Sequence, residues 1–165
     1  MVNGKRVLGI LLVATGIFGA FSLFPSEEKK VKKQFSLLAE YACKEEGERI
    51  LAMAGKMRNL EFLFYEPCTV EAPPYSLSGG FTRGEIASLA ARARLNFSQL
   101  TLEFHDLSIS FPEKEKARAV LTGSVKGKTI SGEAVHEVQE MECLLKKSQD
   151  QWLFEHWEMV EVLKR

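Results

Sequence analysis

Residues 98–111 read SQLTLEFHDLSISF, and the fold turns on a change of phase inside them. Leu100, Leu102 and Phe104 recur at every second position, as side chains on one face of a strand do. Leu107, Ile109 and Phe111 keep the same period on the opposite parity, so the phase slips at His105-Asp106. One extra residue in a long strand is a β-bulge, which bends the strand and re-aims its side chains. The sequence therefore predicts a long bent strand, and a bent strand belongs to a curved sheet.

Toward the C-terminus the period of two continues. Ala117, Ala119, Leu121, Gly123 and Val125 form the next strand, and residues 135–145 and 152–163 form two more, joined by the polar turn at 146–150. Trp152 and Trp157 have opposite parity, which places one inside and leaves the other to seal an edge or an interface. Toward the N-terminus, Thr82-Arg83-Gly84-Glu85 is a capping box, and Ile86, Leu89, Ala90 and Ala93 carry a helix on to about Leu95. Before it, Pro73-Pro74 and Gly79-Gly80 mark residues 66–81 as an irregular loop, with room for one short strand at residues 69–71. Residues 60–65 read as a short aromatic strand closed by Pro67.

Two helices open the domain. Ser26 followed by Glu27 and Glu28 is a helix start, and Val31, Phe35, Leu38 and Ala42 recur at helical spacing. Beyond Gly47, Ile50, Met53, Ala54 and Met57 form a second stripe that ends near Arg58-Asn59. The predicted class is α+β: three helices packed on a curved antiparallel sheet.

Residues 7–24 are a run without charge, preceded by Lys5 and Arg6 and ended by Pro25-Ser26-Glu27-Glu28. A helix of that length reaches roughly 27 Å, close to the thickness of a bilayer core. With only Thr15 and Ser22 to interrupt it, the run reads as a transmembrane segment rather than one face of a soluble helix. The expected division is a membrane anchor or signal segment at 1–25 and a single domain at 26–165. Ala20-Phe21-Ser22 offers a signal-peptidase pattern, but the length of the run favours an uncleaved anchor. Orientation is contested between the short basic leader and Lys29, Lys30, Lys32 and Lys33 just beyond the run. The reading adopted is a single pass through a bacterial-type inner membrane with the domain exported.

The formal net charge is +0, and residues beyond 25 carry 20 of the 22 basic and all 22 acidic side chains. Such a balance offers no basic patch for phosphates, so no nucleic-acid partner is expected. Cys43, Cys68 and Cys143 lack metal-ligand spacing and read as small buried hydrophobes, with one disulfide as the alternative in an oxidising compartment.

This element order resembles the nuclear transport factor 2-like superfamily, also called SnoaL-like or cystatin-like cone domains, over residues 30–163. The pieces that carry the resemblance are Gly79-Gly80-Phe81-Thr82-Arg83-Gly84-Glu85-Ile86, Asp106-Leu107-Ser108-Ile109, Ala117-Arg118-Ala119-Val120-Leu121 and Gln151-Trp152-Leu153. The resemblance implies a sheet wrapped around helices to enclose a cone-shaped pocket. It implies either an isomerase, cyclase or dehydratase or a domain without chemistry, and a fold by itself does not choose. None of the family's acid/base motifs matches here residue by residue.

Four residues are candidates for a pocket. Tyr65 could place a hydroxyl at the cone mouth. His105 stands at the bulge, although adjacent His105 and Asp106 should point to opposite faces. Glu137 and Gln139 share parity with Val135, Met141 and Cys143, which puts polar groups on an otherwise apolar face. Their alternative is the wet end of a strand whose other half is core. No metal or cofactor is expected. The leading expectation is a non-catalytic domain acting through protein contacts in an envelope assembly, as a homodimer or with an envelope protein partner. The alternative is a pocket that binds or transforms a small apolar ligand.

Overall fold

The computed structural model describes residues 27–160. The elements are α1 (27–42), α2 (Ile50–Glu61), β1 (Phe64–Ala72), a 3-10 turn (Pro73–Tyr75), β2 (Leu77–Phe81), α3 (Arg83–Leu95), β3 (Phe97–Glu113), β4 (Lys116–Thr129), β5 (Ala134–Ser148) and β6 (Gln151–Met159). The expected membrane segment at 7–24 lies outside the described residues, as does the end of the last predicted strand beyond residue 160. Among the described residues no helix is long and apolar enough to cross a membrane.

The six strands form one sheet in the order β2-β1-β6-β5-β4-β3. Strands β3 to β6 make the expected antiparallel meander. The sheet is mixed rather than wholly antiparallel, because β1 pairs parallel to β6. Side-chain alternation is the same in either direction, so the pattern of β1 carries no trace of this orientation.

The bulge falls where the phase slip placed it. Pairing of β3 with β4 runs in register to His105↔Thr122 and resumes at Ser108↔Val120, and Asp106 takes a φ of 52°. Phe104 before it and Leu107, Ile109 and Phe111 after it all pack against the core. A bulge in β6 has no counterpart in the sequence reading. Leu145 pairs with Phe154 but Leu144 pairs with His156, so Glu155 is the extra residue in β6. Its insertion restores Trp157 to the core side, which corrects the expectation of one tryptophan inside and one outside. Trp152 is 1% exposed, and Trp157 stacks on Phe154 at 5.1 Å and Phe35 at 6.0 Å.

Residues 60–81 also differ from the expectation. Helix α2 runs on through Leu60 and Glu61, and the strand begins only at Phe64. The supposed loop is a hairpin in which β1 and β2 pair from Cys68↔Phe81 to Ala72↔Leu77. Proline and glycine permit this because β2 is an edge strand, and Pro67 lies in the gap where pairing of β1 with β6 is interrupted.

Helix α1 lies in the concave face of the sheet. Val31, Phe35 and Leu38 are buried, and Phe35 meets Phe104 and Phe154 edge-on at 5.4 and 5.0 Å. Burying an aromatic side chain of this kind contributes about 1.5–3 kcal/mol. The start of α1 is fixed at one pole of the sheet, where Trp152 Nε1 donates to Glu27 Oε2 at 2.8 Å and Lys147 pairs with Glu27 at 3.0 Å. Burial pushes the Glu27 carboxyl up, but Lys147, Trp152 and Lys30 outweigh it and hold the group below its ordinary value.

Helix α3 starts at the capping box read from the sequence. The Glu85 backbone N–H donates to Thr82 Oγ1 at 3.3 Å, and the Thr82 backbone N–H donates to the Glu85 carboxylate at 2.8 Å. Arg83 Nε donates to the Phe64 carbonyl at 2.6 Å, which ties α3 to the beginning of β1.

Candidate functional site

The aromatic cluster of Phe35, Phe104, Phe154 and Trp157 fills the middle of the cone. Above it, toward the C-terminal ends of β1 and β6, a cavity of about 260 Å³ stays open. Ile86, Leu89 and Ala90 of α3 form one wall, Val70 and Ala72 of β1 a second, and Met141 of β5 with Trp157 and Met159 of β6 the floor. Leu38 of α1, Phe64 of β1 and the paired residues Glu71 and Glu158 complete the lining. The two glutamate side chains follow the parity of Thr69 and His156, which hydrogen-bond each other at 2.6 Å on the outer face. The cavity is thus an apolar chamber built where the helix meets three strands, which is where small-molecule sites form. A larger groove of about 760 Å³ lies beside Phe111 and Trp152, but charged residues of the strand ends and turns, among them Glu27, Lys114, Lys147 and Asp150, line it, so it lacks the apolar character of the first.

The polar groups nearest the chamber follow Met141 back along β5. Gln139 and Glu137 share its concave parity, as the sequence indicated. Gln139 Nε2 donates to the Val160 carbonyl at 2.9 Å, which holds the chain just after β6. Glu137 Oε2 accepts a hydrogen bond from Tyr75 Oη at 2.5 Å. Tyr75 was not singled out in the sequence, because a tyrosine after Pro73-Pro74 in a supposed loop has no period to place it.

The other two candidates lie elsewhere. Tyr65 follows the buried Phe64 and turns to the outer face, where its hydroxyl accepts from Lys146 Nζ at 3.2 Å and the ammonium lies 4.4 Å from the ring centre. Lys146 and Lys116 both pair there with Glu155, at 3.9 and 2.8 Å. His105 is 53% exposed on the outer side of β3, with Nε2 3.7 Å from Glu103. None of the four candidates is in the lining of the chamber; Glu137 and Gln139 stand four and two residues from its lining residue Met141 along β5, and Tyr65 and His105 lie on the outer face.

No disulfide joins Cys43, Cys68 and Cys143, and the Leu102 backbone N–H donates to Cys43 Sγ at 3.3 Å. Burial pushes the Cys68 thiol up to about 12, with the Glu155 carboxylate adding to the effect, and burial likewise raises Cys143. Both behave as small core side chains and poor nucleophiles. No group of His, Cys, Asp or Glu among the described residues is arranged to hold a metal ion.

No family model matches the sequence, and no curated protein matches it. Solved structures do. A provisionally assigned scytalone dehydratase from Novosphingobium aromaticivorans superposes with a TM-score of 0.66 at 15% identity, covering 87% of this chain and 89% of that one. A provisionally assigned dehydratase of the NTF2-like family from Streptomyces avermitilis gives 0.61 at 16% identity, covering 85% and 99%. The chain has the nuclear transport factor 2-like fold. The association domain of C. elegans CaMKII is equally similar, with a TM-score of 0.61 at 12% identity over 85% and 99% of the two chains. Proteins named as enzymes and a protein named for association thus share the nuclear transport factor 2-like cone. The choice for this chain rests on its own cavity.

Proposed function

We propose that this protein binds a small apolar ligand in the chamber between α3 and the ends of β1, β5 and β6. The observation that carries the reading is the chamber itself. A concave site of about 260 Å³ lined almost wholly by apolar side chains gives a small apolar ligand surface to bury on leaving water, which an assembly scaffold does not need. Among the described residues, the only acids in its lining, Glu71 and Glu158, share strand parity with the outward-facing Thr69 and His156, so binding is favoured over acid–base chemistry on the ligand.

The direction of entry also follows. Glu27, the first described residue of α1, is bonded to Trp152 at the start of β6, whereas the chamber lies at the far end of that strand. If residues 7–24 hold the protein at a membrane, the mouth faces away from the bilayer and the ligand arrives from the aqueous side.

The test is binding of 4-fluorotoluene, followed by fluorine exchange NMR on the full chain in lipid nanodiscs against empty nanodiscs. Saturable binding that Ala90→Phe abolishes is the expected result. Binding that survives Ala90→Phe, or none in any variant, would overturn the reading.

A further inference from the structure

We propose that the 3-10 turn Pro73–Tyr75 is a strap across the mouth of the chamber, and that the Tyr75–Glu137 hydrogen bond is the latch that sets how fast the chamber exchanges its contents. The inference rests on the ligand-binding reading above.

Strand β6 lies between β1 and β5 and ends at Met159, which lines the chamber. Among the described residues, no strand joins β1 to β5 beyond that end. The chain leaves β1 at Ala72, also a lining residue, and turns through Pro73 and Pro74. Tyr75 then reaches Glu137, four residues beyond the lining residue Met141 on β5. The bond therefore closes a bridge between two walls past the end of the third.

The strap is held by little else. Strand β2 is an edge strand of five residues whose only neighbour is β1. At the tip, Ser76 N–H donates to the Pro73 carbonyl at 3.0 Å, a bond internal to the turn. Among the hydrogen bonds of the described residues, Tyr75 to Glu137 alone connects this turn to β5. The C-terminal side of the turn offers hinges: Ser76 sits at φ 55° and Gly79 at φ 137°, the latter a conformation suited to glycine. The two prolines keep the tip stiff, so it moves as one piece. Tyr75 is 53% exposed, which lets water compete for the bond and makes opening inexpensive. Gln139 Nε2 donates to the Val160 carbonyl, which ties the end of β6 to β5 independently of the strap.

The experiment compares wild type, Tyr75→Phe, Glu137→Gln and the double variant as full chains in nanodiscs. It reads 4-fluorotoluene association and dissociation rates by fluorine exchange NMR, with amide hydrogen exchange over residues 72–78. Each single change should raise both rates about tenfold, the scale of losing one hydrogen bond to a charged group, with little change in Kd. The double variant should add nothing further. Exchange over 72–78 should quicken while that of α2 stays unchanged. Wild type that fails to bind while Tyr75→Phe binds also supports the strap, as a chamber held shut. Binding with the same rates in all four proteins would overturn the strap and leave the ligand-binding reading standing. No binding in any of the four overturns both.

Discussion

Tyr75 and Glu137 are 62 positions apart in the chain, yet their oxygens stand 2.5 Å apart at the mouth of the cone. A phenol that donates to a carboxylate resists losing its proton. The Glu137 bond, aided by burial, pushes the Tyr75 hydroxyl up to about 12 from an ordinary value of 10.0. The sign follows directly. A folded-state value above the unfolded one gives stability that is fully present below pH 10 and is lost as pH rises toward 12. Ultraviolet titration of tyrosinate absorbance should therefore show one late-ionising tyrosine, and Glu137→Gln should return it toward the ordinary range. A titration identical in the two proteins would dissolve the bond.

A different pairing secures the other side of the domain. The Arg94 side chain is 1% exposed and bonds Glu48, which is 5% exposed and also meets Lys56 at 2.7 Å. Arg94 Nη1 donates to the Tyr41 carbonyl at 2.7 Å, and Lys44 Nζ donates to the Arg94 and Phe97 carbonyls at 3.1 and 2.6 Å. These bonds pin the link between α1 and α2 to the end of α3. Glu48→Gln leaves the guanidinium buried without its counter-charge and should cost about 3–5 kcal/mol in chemical denaturation. Burial pushes the Glu48 carboxyl up, but Lys56 and Arg94 outweigh it and hold it below 4.5. Its contribution is fully present above pH 4.5 and should fade as pH falls through the lowered value. Glu48→Gln should flatten that acid limb of the stability curve.

How much of this was legible depends on distance along the chain. The β3 bulge was visible because apolar parity changes within one strand, at His105-Asp106. The α3 cap was visible because its two partners, Thr82 and Glu85, are three residues apart. The parallel pairing of β1 with β6 joins residues such as Thr69 and His156, and no local pattern encodes it. The Glu155 bulge hid for a related reason. Trp152, Leu153 and Phe154 are all buried, so the stretch alternates too little to reveal a lost phase. At the site, Glu137 and Gln139 stood out as polar groups on an apolar parity. Tyr75, their neighbour in space, carried no such signal.

The β3 bulge makes a prediction of its own. Asp106 holds a φ of 52°, a conformation that aspartate tolerates and β-branched residues do not. Asp106→Gly should be neutral or slightly stabilising, whereas Asp106→Val should cost about 1–3 kcal/mol. Deleting Asp106 should be worse than either. It would remove the extra residue, leaving Leu107, Ile109 and Phe111 in step with Phe104 but straightening the strand whose bend the core is packed on. Thermal unfolding of the three variants should show that order, and a valine variant as stable as wild type would remove the bulge from the account of how the sheet bends.

Two glycines in β4 separate packing against a side chain from packing against backbone. A Cβ on Gly123 would stand 2.2 Å from Met141 Cε, the end of a flexible side chain that lines the chamber. A Cβ on Gly127 would stand 2.7 Å from the Gln99 carbonyl oxygen and 2.9 Å from the Phe97 ring, and the carbonyl belongs to a paired strand. The methionine can swing aside; the paired backbone cannot without breaking its ladder. Gly127→Ala should therefore cost more stability, about 1–3 kcal/mol. Gly123→Ala should cost less but should weaken 4-fluorotoluene binding, because the displaced Met141 thioether has only the chamber to enter. Denaturant melts paired with fluorine NMR titrations read both effects. A Gly123→Ala protein that binds as wild type does would mean that Met141 turns another way and that the chamber is bounded less tightly on its β5 side.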